Sequence, residues 1–249
     1  MTAAQKMLLG LVPAAYLIGS IPFGLIVGLW RGVDPREAGS GNIGATNVGR
    51  LLGGKFFALV FTLDVLKGLL PMLAAAWIIA HRAGESQAAL HERITFSLWL
   101  LVGFAAILGH MFSVFLRFKG GKGVATSTGV VLGLYPYYTI PGLAAAALWG
   151  VVFKATRYVS VASISAVTAF AAAYLLIGLW RRWDVFGTQL PLLIFALLMP
   201  SMIVYKHRAN IVRLRAGTES RFGKARSEVQ ETQPKVTRPE VGKGTRGAA

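Results

Sequence analysis

The stretch AGSGNIGATNVGR, residues 38–50, is a polar, glycine-rich interruption between two long apolar runs. It ends in Arg50 and also contains four glycines, Ser40, Asn42, Thr46 and Asn47. Glycine adopts positive φ readily, and successive backbone N–H groups in such a turn form a concave anion site. Arg50 can add a planar, bidentate phosphate contact. The alternative is a tight connection between two membrane helices, with Ser40 or Asn42 as a helix cap.

The composition of the whole chain is that of a membrane protein. Of its 249 residues, 55% are hydrophobic and only 14% are charged, whereas about a quarter of a soluble domain is charged. Several apolar runs exceed the ~20 residues that cross a bilayer, which predicts an all-α polytopic membrane protein. The first run, Ala3–Trp30, is too long for the apolar part of a cleavable signal peptide. The absence of cysteine excludes disulfides, thiolate metal sites and a cysteine acyl carrier.

Counting the apolar runs predicts seven transmembrane helices, one or two of them short. The clear runs are Met7–Trp30, Phe56–Ala80, Ile94–Leu116, Tyr158–Trp180 and Val185–Tyr205. The stretch Val124–Phe153 contains Pro136 and Pro141, and it is either one kinked helix or two short ones. Two helices there would place the N-terminus outside and the basic C-terminus in the cytoplasm, which agrees with the positive-inside rule.

The net charge of +16 is spread unevenly, with an excess of positive charge at the C-terminus. From Lys206 onward there are eleven Lys and Arg residues against four Glu. Such a segment suits anionic lipid at a cytoplasmic membrane face. Nucleic acid is disfavoured as a partner, because this segment carries no binding motif and only one aromatic residue, Phe222. We expect residues 1–219 to form the membrane domain and residues 220–249 to be a basic, polar and disordered tail.

A second polar segment, residues 117–123, reads RFKGGKG and follows the third apolar run. Lys119 and Lys122 flank a diglycine, and a helix is predicted to begin at Val124 with its N-terminus toward a bound anion. The spacing is not that of a Walker A loop, which disfavours an ATPase. The alternative is a plain positive anchor at the membrane surface.

A third polar segment, residues 206–219, reads KHRANIVRLRAGTE and places His207 and Asn210 near one helix face. A histidine there suits a base or a hydrogen-bond donor. A basic juxtamembrane helix would explain the arginines equally well, but neither His207 nor Asn210 is needed for lipid binding. Within the apolar runs, we interpret His110 as structural and Asp64 with Lys67 as a structural ion pair.

Several familiar catalytic arrangements are missing from the sequence. No Asp lies five residues after any His, so the His-x4-Asp arrangement of soluble acyltransferases is absent. Paired carboxylates, a His–Glu cluster and a G-x-S-x-G elbow are absent as well, which disfavours metal hydrolysis and serine esterase chemistry. The sequence therefore predicts an anion-binding site beside the membrane interface, without a metal.

The segments SGNIGATNVGR, GHMFSVFLRFKGGKG and HRANIVRLRAGTE, in this order, resemble the three cytoplasmic motifs of the PlsY family, the bacterial acyl-phosphate:glycerol-3-phosphate acyltransferases. The resemblance extends over about residues 10–219 and includes LDVLKG in the second apolar run. Ser113 stands where the family usually has proline, and we expect it to loosen the helix entry without removing a ligand. Residues 220–249 extend beyond the usual end of the family.

The resemblance implies a transferase that moves a fatty acyl group from acyl phosphate to the 1-hydroxyl of sn-glycerol 3-phosphate. The products are lysophosphatidate and inorganic phosphate, in the first step of bacterial phospholipid synthesis. It also implies seven helices in the bacterial inner membrane, a site facing the cytoplasm and an acyl groove open to lipid. No cofactor is implied, and neither coenzyme A nor acyl carrier protein is the donor. A transporter of an organic phosphate is the main alternative, but its ligands should lie near the midplane between repeats.

The resemblance also assigns roles to individual residues. The residues assigned to catalysis are Ser40, Arg50, Lys122, His207 and Asn210. Those assigned to substrate binding are Gly39, Gly41, Asn42, Gly44, Asn47, Lys119, Gly120, Gly121, Gly123, Thr126, Arg213 and Glu219. Within these sets, Glu219 is expected to order the third motif, and backbone amides of the diglycine loop are expected to complete a phosphate cradle. Whether His207 or a substrate phosphate takes the hydroxyl proton stays open.

Overall fold

The computed structural model describes residues 1–82 and 93–223, and within them the chain is helical and contains no β-strand. The α-helices of these residues are α1 Ala3–Ser20, α2 Phe23–Trp30, α3 Ala45–Leu52, α4 Gly54–Arg82, α5 Arg93–Met111, α6 Val124–Gly133, α7 Thr139–Thr156, α8 Val159–Trp180, α9 Leu190–Lys206 and α10 Arg208–Arg215. One 3₁₀ turn covers Val114–Leu116. The all-helical prediction is confirmed.

Five segments of the described residues are long and apolar enough to cross a membrane. They are Ala3–Trp30, Gly54–His81, Arg93–Leu116, Thr139–Thr156 and Val159–Trp180. A sixth is formed by α9 and α10 if the pair, which is bent by 55°, counts as one broken span. These segments confirm a multi-pass membrane protein.

The stretch Val124–Phe153 is divided between two helices, as one of the two interpretations predicted. The first, α6, has 10 residues, and α7 begins at Thr139. Pro136 lies in the connection, where a residue without a backbone N–H cannot continue the ladder of helical hydrogen bonds. A helix of ten residues is only ~15 Å long, well short of the hydrocarbon core of a bilayer. The count of seven spans and the orientation of the termini therefore stay predictions.

Two helix pairs approach so closely that glycine is required at their contacts. Between α1 and α5, a Cβ atom at Gly19 would lie 2.1 Å from the carbonyl oxygen of Ala106. Between α4 and α6, a Cβ atom at Gly129 would lie 2.0 Å from the carbonyl oxygen of Val65. Small residues that let helix backbones meet are characteristic of packing in membranes, where the hydrophobic effect does not drive helices together. These contacts fix α6, and hence the loop before it, against the longer helices.

Asp64 and Lys67 form the buried ion pair that the sequence predicted. Their charged atoms are 2.7 Å apart, and both side chains are almost fully buried. Nζ of Lys67 also donates to the carbonyl oxygen of Ile21, at the break between α1 and α2. Nδ1 of His110 lies 3.6 Å from the Asp64 carboxylate. The pair therefore holds α4 against the end of α1 and against α5. Its purely structural role stays a prediction, because Asp64 and His110 also line the main cavity described below.

Ser113 does not loosen the chain after α5. Its hydroxyl is buried and donates a 2.6 Å hydrogen bond to the carbonyl oxygen of Ser20, the last residue of α1. The expectation of a looser helix entry is wrong, because this bond ties the turn at Val114–Leu116 to α1.

The packed part of the chain continues past Glu219, where the domain boundary was predicted. The backbone N–H of Phe222 donates to the carbonyl oxygen of Arg157 at 2.9 Å. The Phe222 ring lies edge-on to Phe57 and Phe153, with centroids 5.5 and 5.9 Å away. The prediction of a disordered tail falls mainly on residues 224–249, which lie outside the described residues.

Candidate functional site

The loop before α3 is built around the side chain of Asn47, which is only 1% exposed. Its Oδ1 accepts from the backbone N–H of Ser40 at 2.8 Å. Its Nδ2 donates to the carbonyl oxygens of Pro35 and Ala38. Gly39 has φ +62°, and a Cβ atom there would lie 2.3 Å from the Asn47 Oδ1 atom. Asn47 and Gly39 therefore shape the loop that carries Ser40, and all amide hydrogen bonds of Asn47 go to that loop.

Asn42 begins the turn into α3. Its Oδ1 accepts from the backbone N–H of Gly44 at 2.9 Å, which leaves its amide nitrogen as a donor. Ser40, the residue two before it, has an exposed side chain. Gly41 sits between them with φ +67°. The loop therefore presents the Ser40 hydroxyl and the Asn42 side-chain amide to the two cavities, described below, that these residues line.

The backbone amides of the diglycine loop bind the loop to the end of α5. The N–H groups of Gly120 and Gly121 donate to the carbonyl oxygens of Met111 and His110 at the end of α5. A Cβ atom at Gly120 would lie 2.1 Å from the His110 carbonyl oxygen, so glycine is required for this approach. The expectation that these two amides bind phosphate is wrong, because both are engaged with the backbone of α5. Gly123, with φ +93°, precedes α6 as predicted.

Glu219 organises the third polar segment and is only 7% exposed. Its Oε1 accepts from the Ser160 hydroxyl at 2.8 Å and from Nδ2 of Asn210 at 2.6 Å. Its Oε2 accepts from Nε of Arg213 at 2.7 Å. Oδ1 of Asn210 in turn accepts from Nζ of Lys122 at 2.6 Å. A continuous chain of hydrogen bonds therefore joins the diglycine loop, α8 and α10, and it lowers the pKa of Glu219 despite burial.

Lys122 and Arg50 bring positive charge to a largely buried place. Burial lowers the pKa of Lys122 to about 8 and lowers the pKa of Arg50. One NH2 group of Arg50 donates to the carbonyl oxygen of Ser220 at 3.0 Å. Its Nε–H is buried and has no partner among the described residues. A desolvated cation with a free donor is suited to an anionic ligand, because the ligand restores the lost hydration.

His207, at the break between α9 and α10, is neutral with its Nε2 atom unprotonated. Its Nδ1 lies 2.8 Å from the carbonyl oxygen of Ile203. A carbonyl oxygen only accepts, so Nδ1 carries the hydrogen and Nε2 is left as an acceptor. Burial, and then the charge of Lys122, lower the pKa of His207 to about 4. The imidazole therefore keeps this form throughout the neutral range.

Two adjoining cavities meet at these residues. The main cavity has a volume of about 360 Å³ and the smaller one about 240 Å³. Both are lined by Ser40, Asn42, Lys122 and Asn210. The main cavity continues from that polar end to an apolar end lined by Val131, Ala145, Trp149, Val167, Phe170 and Met199. The smaller one also meets the basic residues Lys206, Arg208 and Arg213. The arrangement suits an amphipathic anion beside a small, strongly anionic molecule.

The structure brings most of the sequence-predicted residues to these cavities. The main cavity is lined by Ser40, Asn42, Gly44, Asn47, Arg50, Lys122, Gly123, His207, Asn210 and Glu219, and the smaller one adds Gly120, Gly121 and Arg213. Gly39, Gly41, Lys119 and Thr126 line neither cavity. Thr126 instead packs against α4, where a Cβ atom at Gly68 would lie 2.1 Å from its carbonyl oxygen.

Sequence reasoning missed several hydroxyl-bearing residues that line the main cavity, among them Ser127 and Ser160. Ser127 follows Gly123 by four residues, so helical spacing from the predicted start of α6 would have favoured it over Thr126. Ser160 lies in an apolar run with no motif around it, and nothing in the local sequence indicates its contact with Glu219.

Comparisons with known proteins agree over nearly the whole described chain. The family model described as glycerol-3-phosphate acyltransferase matches residues 9–217. The glycerol-3-phosphate acyltransferase of Aquifex aeolicus is 43% identical over 214 residues, which are 85% of this chain and 97% of that protein. That of Roseiflexus sp. is 47% identical over 217 residues, or 87% and 96% of the two chains.

Two solved structures are similar as well, and both are of PlsY (YgiH), an integral membrane glycerol 3-phosphate acyltransferase. The glycerol 3-phosphate form is 41% identical, with a TM-score of 0.71 over 90% of this chain and 98% of that one. The lysophosphatidic acid form is also 41% identical, with a TM-score of 0.68 over 87% and 96%. At this identity and coverage, the similarity includes the amino-acid sequence as well as the fold.

Proposed function

The chain belongs to the glycerol-3-phosphate acyltransferase family, and from that premise we propose that its acyl donor is an acyl phosphate and its acceptor the 1-hydroxyl of sn-glycerol 3-phosphate. The observation that carries this proposal is the pair of cavities with a shared polar wall. A long-chain acyl phosphate has a dianionic head and a hydrocarbon tail, which match the polar and apolar ends of the main cavity. Glycerol 3-phosphate is small and dianionic, which matches the basic lining of the smaller one.

The reaction needs no covalent enzyme intermediate, because an acyl phosphate is already an activated mixed anhydride. The hydroxyl oxygen forms a bond to the acyl carbon, and the bond from that carbon to the phosphate oxygen breaks. The products are 1-acyl-glycerol 3-phosphate and inorganic phosphate, and the hydroxyl proton leaves with the phosphate. Holding both substrates in one geometry and stabilising charge on the leaving phosphate provide the rate.

Each side chain has a role that follows from its position. Arg50 and Lys122 bind phosphate oxygens, and Ser40 with the amide nitrogen of Asn42 completes that contact. Asn210 holds the Lys122 ammonium in place, and Glu219 orders Asn210 and Arg213. The conformation of the loop that carries Ser40 is set by Asn47, Gly39 and Gly41, which in this proposal do not themselves contact substrate.

The proton is taken by a substrate phosphate in this proposal, and His207 orients the acceptor. The pKa of His207 is about 4, whereas the second pKa of a phosphate monoester is about 6. The lowered pKa makes His207 a weak base, which favours a substrate phosphate as the proton acceptor. Nε2 of His207 accepts a hydrogen bond from the neighbouring 2-hydroxyl of glycerol 3-phosphate, which leaves the hydrogen of the attacking 1-hydroxyl directed at the phosphate.

We further propose seven spans in a bacterial inner membrane, with the N-terminus outside and both cavities open to the cytoplasm. The Lys and Arg residues from Lys206 onward support this orientation. A cytoplasmic site also gives direct access to water-soluble glycerol 3-phosphate. The proposal includes no metal, no cofactor, and neither coenzyme A nor acyl carrier protein as donor.

The test is an assay of purified protein in detergent with palmitoyl phosphate and glycerol 3-phosphate. We expect stoichiometric lysophosphatidate and inorganic phosphate in the presence of EDTA and without ATP or coenzyme A. Activity with palmitoyl-coenzyme A but none with palmitoyl phosphate would overturn the proposed donor. Absence of phosphate release, together with uptake of glycerol 3-phosphate into proteoliposomes, would favour a transporter.

A further inference from the structure

Ser127 carries a buried hydroxyl in the wall of the main cavity. The residue lies in the second turn of α6 and is 3% exposed. Its Oγ has no hydrogen-bond partner among the described residues, yet the residue lines the main cavity. Buried hydroxyls are normally paired, because an unpaired one loses its bonds to water and gains nothing. An unpaired hydroxyl beside a cavity therefore points to a ligand.

Three other hydroxyl-bearing residues in the wall of the main cavity have partners. Thr128 donates to the carbonyl oxygen of Val124, one turn earlier in its own helix. Ser160 donates to Glu219, and Ser163 accepts from Nε1 of Trp149. The hydroxyl of Thr126 also lacks a partner in the described part of the chain, but that residue lines neither cavity. Ser127 is the residue of this group that combines an unpaired hydroxyl with a place in the cavity wall.

The position of Ser127 along α6 indicates which part of a ligand it meets. One face of α6 lines the main cavity, with Gly123 at the polar end and Val131 at the apolar end. Ser127 lies midway, ~6 Å along the helix axis from each. In an acyl phosphate the carbonyl group lies between the phosphate and the hydrocarbon chain. A ligand with its phosphate at Lys122 and its chain at Val131 therefore has its carbonyl group beside Ser127.

We propose that the Ser127 hydroxyl donates a hydrogen bond to the carbonyl oxygen of the acyl phosphate, a role that rests on the proposed function. When the glycerol hydroxyl adds to the acyl carbon, the carbonyl oxygen takes up negative charge, and the hydrogen bond strengthens. When the bond from the acyl carbon to the phosphate oxygen breaks, the charged oxygen that stayed on the acyl carbon becomes the carbonyl oxygen of the ester. Ser127 keeps its proton throughout, and the proton of the attacking hydroxyl leaves on the phosphate.

The test compares ligands with and without a carbonyl group. Ser127→Ala and Ser127→Cys are assayed with palmitoyl phosphate, and hexadecyl phosphate is used as a competitive inhibitor that lacks the carbonyl oxygen. We expect kcat to fall at least about tenfold in both variants, with little change in the KM for palmitoyl phosphate. The inhibition constant of hexadecyl phosphate should stay within about twofold of the wild-type value, since its phosphate and chain contacts are intact.

Ser201→Ala is the matched control, because its hydroxyl donates to the Leu197 carbonyl oxygen in α9 and the residue lines neither cavity. A wild-type kcat in either Ser127 variant would overturn the assignment. Equal weakening of hexadecyl phosphate would overturn it too, by indicating a role in phosphate binding or packing. The cysteine variant fills the position with a weak donor, so it tests the hydrogen bond even if the alanine variant is unstable. An inactive wild-type enzyme would instead refute the proposed function.

Discussion

Nζ of Lys122 lies 2.6 Å from Oδ1 of Asn210, so a hydrogen bond joins two residues that are 88 positions apart in the chain. The contact places the loop before α6 against α10, and the shared wall of both cavities depends on it. Asn210 is held from its other side by Glu219. An amide is suited to this place, because it accepts from the ammonium and donates to the carboxylate at once.

Asn210→Leu is therefore expected to lower kcat/KM at least about tenfold, ~1.4 kcal/mol of transition-state stabilisation. The leucine has a similar size but neither accepts from Lys122 nor donates to Glu219, so the ammonium loses its position. Initial rates at saturating and limiting palmitoyl phosphate measure the effect. Val212→Leu is the control for added apolar bulk in α10, because Val212 is exposed and lines neither cavity. An Asn210→Leu enzyme with normal kinetics would show that the hydrogen bond has no part in the reaction.

Glu219→Gln is expected to lower both stability and rate. The carboxylate accepts from Ser160, Asn210 and Arg213, and a hydrogen bond between charged groups contributes about 1.5–3 kcal/mol. The glutamine side chain has the shape of glutamate, but it has one acceptor oxygen instead of two. It also lacks the negative charge that faces Arg213. Thermal unfolding in detergent should show a lower midpoint than for the wild type. Glu37→Gln, at an exposed site, should leave the midpoint unchanged, and an unchanged midpoint in Glu219→Gln would contradict the role given to Glu219.

The pKa of Lys122, lowered to about 8 by burial, predicts an alkaline limb in the pH profile of the free enzyme. Below that pKa the side chain is an ammonium that binds phosphate, and above it the charge is lost. We expect kcat/KM for palmitoyl phosphate to fall about tenfold for each pH unit above 8. In Lys122→Arg the guanidinium stays protonated, so the limb should disappear even if the rate is lower. If kcat/KM of the Lys122→Arg variant still falls above the same pH, the group that titrates is not Lys122.

The two lysines of the diglycine loop should differ sharply, although the sequence presents them alike. Lys122 lines both cavities, whereas Lys119 is exposed and lines neither. Lys122→Ala should cost at least about tenfold in rate, as should Ser40→Ala and Arg50→Ala, ~1.4 kcal/mol each. Lys119→Ala should stay within about twofold of the wild type. Equal losses at both lysines would mean that the substrate lies outside the cavities.

The sequence predicted the helices well where hydrophobicity decides them and less well where contacts between distant residues decide them. Four of the five clear apolar runs coincide with candidate spans, because the bilayer demands about 20 apolar residues whatever their neighbours. The fifth, residues 185–205, overlaps α9, which has 17 residues and counts as a span only together with α10. The diglycine amides were misjudged because their partners, the carbonyl groups of His110 and Met111, belong to another helix. Thr126 was assigned from the family resemblance, whereas helical spacing from Gly123 favours Ser127, and the packing of Gly68 against Thr126 shows that the Thr126 side of α6 is closed.

The placement of the three polar segments on one side of the membrane can be tested directly, because the chain contains no cysteine. Single cysteines at Glu37, Arg208 and Arg181, all exposed residues, report on the first polar loop, on α10 and on the turn after α8. A membrane-impermeant maleimide applied to intact cells should label only the cysteine at position 181. The other two should react only after the membrane is permeabilised. Labelling of positions 37 and 208 from opposite sides would separate the loop of Ser40 from the helix of Asn210, and neither cavity would then have its shared wall.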